Sequence, residues 1–438
     1  MSNNLFRPFF NENTDKLHFI KYNTIGSHKN LYFDYTATGL GFRQIENRLH
    51  DVLKTYANTH SKEATMASKT NEYYDLAYTN LHKCLELNDE FVILPSGNGA
   101  TAAIKKFQEL IGIYIPPATS KRLALNINKN DLPLVIVGPY EHHSNEVSYR
   151  EALCDLRRVR LNDEGLMDLV QLEELLKVNQ HREIIGTFCI ASNVTGIMTC
   201  YKEISNLLRK YNATVCFDAA ASSSYMNVDC SYYDVMFTSS HKLLGGPGSC
   251  GLLVMKKDLI DSEISPTFAG GGTVTYVSHV SQDYQEDLVE RETAGTPGIL
   301  QFIKASLAYQ LRNEIGFEFI EQRKQNNFDY FLEELKRIPN CTIYGNEKSK
   351  NIGIVSFNIG SCDPYELCAK ISQNSGVQTR AGCSCAGPYG HDLLGLKDQL
   401  ELGEKPGWLR ISIHFSQTTD EIDILISSIK NALAASCL

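Results

Sequence analysis

The chain predicts an α/β protein in which a large domain, built on a mainly parallel sheet covered by helices, is followed by a small α+β domain. Two observations carry this. Short apolar runs alternate with amphipathic helical patterns through most of the 438 residues. From about residue 311 the pattern changes to strands with alternating faces and one long apolar helical stripe. A composition of 43% apolar and 21% charged residues is that of an ordinary globular protein.

The runs at 91–94, 135–137, 184–190, 214–217, 235–238 and 252–255 are largely apolar and read as buried strands. Between them, Ile104, Phe107 and Ile111, then Leu169, Leu172, Leu175 and Leu176, then Ile204, Leu207, Leu208 and Tyr211 repeat at helical spacing. Alternation of this kind places ligands at the carboxyl ends of the strands. In the last third, 353–357 and 410–415 read as alternating strands. Ile422, Leu425, Ile426, Ile429 and Leu433 line one helix face, entered through a Thr418/Glu421 capping box. The expected division is a large domain over 31–310 and a small one over 311–438, with the segment 1–30 packing on the small domain.

A net charge of -9 without clustered Lys and Arg argues against a nucleic-acid partner. The N-terminus lacks a long apolar h-region, and runs such as 134–137 fall far short of a membrane span, so no membrane association and a cytoplasmic location are expected. Thirteen cysteines scattered over a long chain do not form a secreted disulfide framework; buried thiols with one or two reactive ones are expected.

Lys242 follows an apolar strand and precedes a glycine turn, a setting that suits an imine-forming amine and suggests a pyridoxal phosphate (PLP) enzyme. Asp218 ends the run 214–217, where a carboxylate could keep a pyridinium nitrogen protonated; the plain alternative is a strand-end cap. The small-residue turn Ser96-Gly-Asn-Gly enters a helix N-terminus and suits a phosphate, although such turns are common without one. Glu141-His-His-Ser-Asn follows another strand. Adjacent histidines on an extended chain point apart, so His142 and His143 do not chelate jointly, and one can face a ligand while the other is structural.

The ordered set Glu141-His-His-Ser-Asn, Ser192-Asn-Val-Thr-Gly, Asp218-Ala-Ala, Ser239-Ser-His-Lys, Gly270-Gly-Gly, Ala294-Gly-Thr-Pro and Arg380-Ala-Gly-Cys-Ser-Cys-Ala-Gly-Pro resembles the class V aminotransferase family of fold type I PLP enzymes. Within it the likeness is to SufS-like cysteine desulfurases and selenocysteine lyases, from about residue 31 to 435. The resemblance implies that Lys242 carries the cofactor and shuttles the Cα proton, Asp218 holds the ring nitrogen, His142 stacks on the ring and Asn193 reaches the phenolic oxygen. It implies a phosphate held by Asn98, Gly99, Ser239 and His241, and by Thr296 from the partner of a homodimer. Arg410, whose alternation with Ile411 and Ile413 turns it out of the small-domain core, would clamp the substrate carboxylate, with Arg380 close by and His60 as a further substrate contact.

Cys385 takes the position of the catalytic cysteine, which attacks the substrate sulfur and becomes a persulfide; its sulfur would then pass to an acceptor protein or a reductant. The implied reaction is conversion of L-cysteine to L-alanine. The alternatives are a selenocysteine lyase, an aminotransferase, an epimerase or a C–S lyase of the same family, and, in another class, a silent scaffold or sulfur-relay partner.

Three departures stand out. Cys383 lies two residues before Cys385 where the SufS-like pattern has histidine, giving a bystander or auxiliary thiol or a redox couple; with no second ligand pair, no metal is expected. Ala221 stands where the family usually has a glutamine helping to hold the phenolic oxygen, with Ser222 as a candidate substitute. The stretch 114–131 has the look of an insertion.

Overall fold

Largely apolar strands need cover on both faces, and the computed structural model, which describes residues 5–26, 31–123, 128, 131–397, 403 and 405–434, supplies it. Among the described residues one sheet has seven strands: β1 (Phe91–Ser96), β2 (Leu134–Val137), β3 (Asp155–Arg158), β4 (Ile184–Cys189), β5 (Thr214–Asp218), β6 (Val235–Ser239) and β7 (Gly251–Lys256). Their order is β1-β7-β6-β5-β4-β2-β3. Strand alternation sends Ile93, Ile136, Val215, Met236 and Val254 to one core, and Val92, Val135, Cys216, Phe237 and Leu253 to another. The second core is closed by Ala103, Ile104 and Phe107 of α1 (Ala100–Leu110).

The sheet departs from the parallel expectation at β7, which runs antiparallel to both β1 and β6. The reason is connection length. A parallel return needs a crossover of roughly a dozen residues or more, usually a helix. The short link 240–250 is instead a single 3-10 turn and glycine bends.

A second sheet of four antiparallel strands has the order β8-β9-β11-β10, from β8 (Cys341–Ile343), β9 (Ile354–Ile359), β10 (Arg380–Gly382) and β11 (Trp408–Ser412). Its core joins Val355, Phe357, Leu409 and Ile411 to Phe331 and Leu335 of α2 (Phe317–Lys336), and to Ile422, Leu425 and Ile429 of α3 (Thr419–Ala434). The Thr418/Glu421 box caps α3 reciprocally: Thr418 N–H donates to Glu421 Oε2 at 2.9 Å and Glu421 N–H to Thr418 Oγ1 at 3.3 Å. β11 ends before the 410–415 run does, because His414 and Gln417 close a turn in which His414 N–H donates to Gln417 Oε1.

The N-terminal segment touches both expected domains. Leu5, Phe9 and Ile20 enter the large core and Arg48 donates to the Leu5 carbonyl, while Phe9 N–H donates to Glu314 Oε2, Lys16 Nζ donates to the Ile315 carbonyl, and Lys21 pairs with Glu421 of α3. Phe33, inside the expected large domain, packs instead with the small core. Of the 114–131 stretch, Pro117–Leu123 is a short surface helix, while 124–127 and 129–130 lie outside the described residues.

Candidate functional site

Several strands of the large sheet, β4, β5 and β6 among them, end at one cavity of about 720 Å³, a volume suited to a cofactor with a small substrate. Asp218 closes β5 and is buried; its Oδ1 accepts from Ala220 N–H at 2.8 Å. Burial raises its carboxyl above the usual range, while the Ala220 hydrogen bond and the Lys242 charge pull the other way. Lys242 stands one 3-10 turn beyond β6 with its head toward the cavity. Burial pushes its ammonium down to about 8, against the opposing pull of Asp218.

At the opposite rim Gly99 leads into α1. Ala100 N–H donates to Ser239 Oγ at 2.9 Å, so the end of β6 and the helix N-terminus are tied together. A Cβ at Gly99 would sit 3.0 Å from Ser239 Oγ and 3.6 Å from the His241 ring, which explains why the turn takes glycine. Asn98, Ser239 and His241 line the same corner. Burial, with Lys242 nearby, holds His241 down to about 4, hence neutral.

His142 caps the helix α4 (His143–Arg150): its Nδ1 accepts from Ser144 N–H at 3.1 Å, which assigns the ring proton to Nε2. Burial and the Lys242 charge lower it to about 4. His143 begins the helix instead of continuing an extended chain, and binds the loop after β10: its N–H donates to Cys385 O and its Nε2 accepts from Gly387 N–H, both at 2.8 Å.

Arg410 on β11 is buried and held on two sides, with Nη2 donating to Asp34 Oδ1 at 2.7 Å and Nη1 to the Asn193 carbonyl at 2.9 Å. Arg380 Nη1 stands 4.0 Å from Asp34 Oδ2. Asp34, which holds Arg410 from behind the cavity lining, is a residue that sequence reasoning missed; its signal was an acid two residues beyond the short strand Leu31–Tyr32. Asn193 Nδ2 donates to the Ser384 carbonyl at 2.6 Å, linking the cavity to the cysteine loop, while its buried Oδ1 has no partner among the described residues. Cys385 is exposed at the cavity rim.

His60 and Thr296 are not in this cavity. His60 Nε2 meets the Gly295 carbonyl at 3.2 Å and Asn58 donates to Thr296 Oγ1 at 2.8 Å, forming an exposed cluster of their own. Ala221 lines the cavity, and Ser222 hydrogen-bonds back to the Ala219 carbonyl. Two further groups emerge from the structure. Glu141 is buried, accepts from Asn145 Nδ2 and Cys189 N–H, and is raised by burial to about 8. Cys189 lies beside it, a thiol held protonated by burial.

These features fit PLP. Asp218 can face a ring nitrogen, the Gly99 cradle and α1 N-terminus a phosphate, the neutral His142 a ring face, and the Asn193 amide a phenolic oxygen.

The model of the family described as aminotransferase class-V matches residues 31–425. The chain belongs to the class-V aminotransferase family. Similar curated relatives of this class-V chain include the probable cysteine desulfurases of Staphylococcus epidermidis and Staphylococcus aureus, each 26% identical over 408 residues and spanning 91% of both chains. Among solved structures, the apo cysteine desulfurase from Thermococcus onnurineus superposes with a TM-score of 0.79 at 22% identity, covering 95% of this chain and 98% of the other. The cysteine desulfurase CsdA from Escherichia coli gives 0.77 at 22% identity, covering 96% and 99%. The class-V chain therefore has the fold of these enzymes.

Proposed function

We propose that this class-V protein is a PLP-dependent cysteine desulfurase that converts L-cysteine to L-alanine and takes the sulfur onto Cys385 as a persulfide. The observation that carries the reading is that Lys242, Asp218, Arg410 and Cys385, from four separate segments, line one cavity. The names of the curated relatives support it.

Bound PLP would supply an aldehyde for imine formation and a ring that takes up electrons from the substrate Cα. Asp218 keeps a proton on the ring nitrogen, His142 stacks against the ring, and Asn193 donates to the phenolic oxygen. Asn98, Gly99, Ser239 and His241 hold the phosphate, and Arg410 with Arg380 holds the substrate carboxylate. With its ammonium pushed down to about 8, the Lys242 amine is neutral often enough to take the Cα proton. The Cys385 thiolate then attacks the substrate sulfur; the C–S electron pair stays with the carbon skeleton and becomes, with a proton, the methyl group of alanine.

The same reading makes the protein a cytoplasmic homodimer whose sulfur passes from Cys385 to an acceptor protein or a reductant. Thr296 and His60 reach the cavity of the partner subunit. Their exposed cluster supports this, as do Phe268, 74% exposed, and Val280, 94% exposed, which a lone subunit leaves in water. Among the described residues no helix is long and apolar enough to cross a membrane.

The test is alanine formation from a panel of amino acids by the PLP-loaded protein and its Cys385→Ala variant. Alanine from L-cysteine that disappears in the variant supports the reading, and undiminished turnover refutes it.

A further inference from the structure

We propose that Cys383 is a resolving thiol: it attacks the Cys385 persulfide, releases hydrosulfide and leaves a Cys383–Cys385 disulfide. The proposal rests on the desulfurase reading for the origin of the persulfide.

The backbone prepares the pair. Ser384 and Cys385 carry φ values of 54° and 57°, left-handed conformations that non-glycine residues adopt at a cost, and Ala386 N–H closes the turn onto the Cys383 carbonyl at 3.1 Å. One residue of helical geometry places the flanking Cα atoms about 5.4 Å apart, whichever its hand. A disulfide spans roughly 4.4–6.8 Å between Cα atoms.

The turn is also held in place. The Ser384 carbonyl accepts from Asn193 Nδ2 at 2.6 Å, Ser384 Oγ accepts from Trp408 Nε1 at 3.2 Å, and the Cys385 carbonyl accepts from His143 N–H at 2.8 Å. The strained backbone is thus imposed by three elements outside the loop, and the cysteine pair is kept close whatever Cys385 carries.

The chemistry follows from reach. With the two Cα atoms at disulfide distance, the sulfur accessible to Cys383 is Cys385 Sγ, because the outer sulfur of a persulfide projects one bond further away. The Cys383 thiolate bonds to Cys385 Sγ. The bond between Sγ and the outer sulfur breaks, its electron pair leaving with the outer sulfur as hydrosulfide. That sulfur is reduced, and the two cysteines are oxidised to the disulfide. An external dithiol reductant returns both to thiols and re-arms the enzyme. Cys383 is half-buried and Cys385 exposed, so such a reductant meets Cys385 first. The protein then delivers free sulfide at a rate set by the dithiol supply, without an acceptor protein docking on Cys385.

The experiment is a single turnover with one equivalent of L-cysteine per PLP-loaded subunit, without oxygen or other thiol. Sulfide and alanine are assayed, and the peptide containing both cysteines is weighed by mass spectrometry. The wild type releases sulfide and alanine in equal amounts, and its peptide loses two hydrogens. Cys383→Ser and Cys383→Ala form alanine but lose sulfide release, and one sulfur atom stays on Cys385. Sulfur retained on Cys385 in the wild type, or equal sulfide release from the variants, overturns the proposal. If neither protein forms alanine, the desulfurase reading has failed separately. Loading Cys385 with inorganic polysulfide then decides the pair chemistry: a disulfide in the wild type alone supports it, and a stable persulfide in both overturns it.

Discussion

Replacing Asp34 with alanine tests the buried Asp34–Arg410 pair directly. Asp34 and Arg410 have side chains only 12% and 4% exposed, with 2.7 Å between Oδ1 and Nη2. At an effective dielectric constant near 20, charge centres about 4 Å apart attract by roughly 4 kcal/mol. Removing one member of a buried pair strands the other, and such losses run to about 3–5 kcal/mol. In Asp34→Ala the guanidinium keeps the Asn193 carbonyl and little else. The protein contains a single tryptophan, Trp408, fully buried on the same strand as Arg410, so its fluorescence during urea unfolding reports on this sheet without labelling. The expected result is a loss of about 3–5 kcal/mol at that probe, most of it recovered in Asp34→Leu combined with Arg410→Met, which removes both charges. Glu173→Ala, at the exposed Lys210 pair, should leave the transition in place. A loss under about 1 kcal/mol for Asp34→Ala would rank the buried pair with exposed ones and refute the reasoning.

Lys242→Met should stabilise the cofactor-free protein. The folded ammonium titrates near 8 rather than at its ordinary 10.5, so the wild type carries a penalty of roughly 3 kcal/mol below pH 8 that fades as pH rises to 10.5. Melting curves should show the variant ahead at pH 7 and level with the wild type near pH 10.5; a gap independent of pH contradicts this. Gly251→Ala would place a Cβ 2.4 Å from the Gly99 carbonyl oxygen, displacing the turn proposed to hold the phosphate. PLP titration should show binding weaker by about tenfold or more, the equivalent of at least ~1.4 kcal/mol, and unchanged affinity counts against the cradle. Thr418→Ala removes the α3 cap and should cost about 1 kcal/mol in thermal unfolding, with no change if the box is idle.

The large sheet was legible because its strands are buried on both faces and therefore read as largely apolar runs, as at 135–137 and 214–217. The reversal at β7 was not, since Leu252 and Val254 look alike in either direction and only the short 240–250 link decides. Asp218, which closes a strand, and Lys242, which follows one, both line the cavity and were singled out from local pattern. Asp34 was missed because its significance is a contact with Arg410 across the whole chain, which no local pattern encodes. His143 likewise gave no hint that it would hold the cysteine loop. The packing of Leu5 and Phe9 depended on which core had room, a property of the assembled surface rather than of their own segment.

The Asp34–Arg410 pair joins residues 376 positions apart. During synthesis Asp34 leaves the ribosome long before its cation exists, and the carboxylate stays in water until β11 has been made. The pair therefore forms only as a late event of folding. A chain cut short before Arg410 leaves the Asp34 carboxylate without its cation.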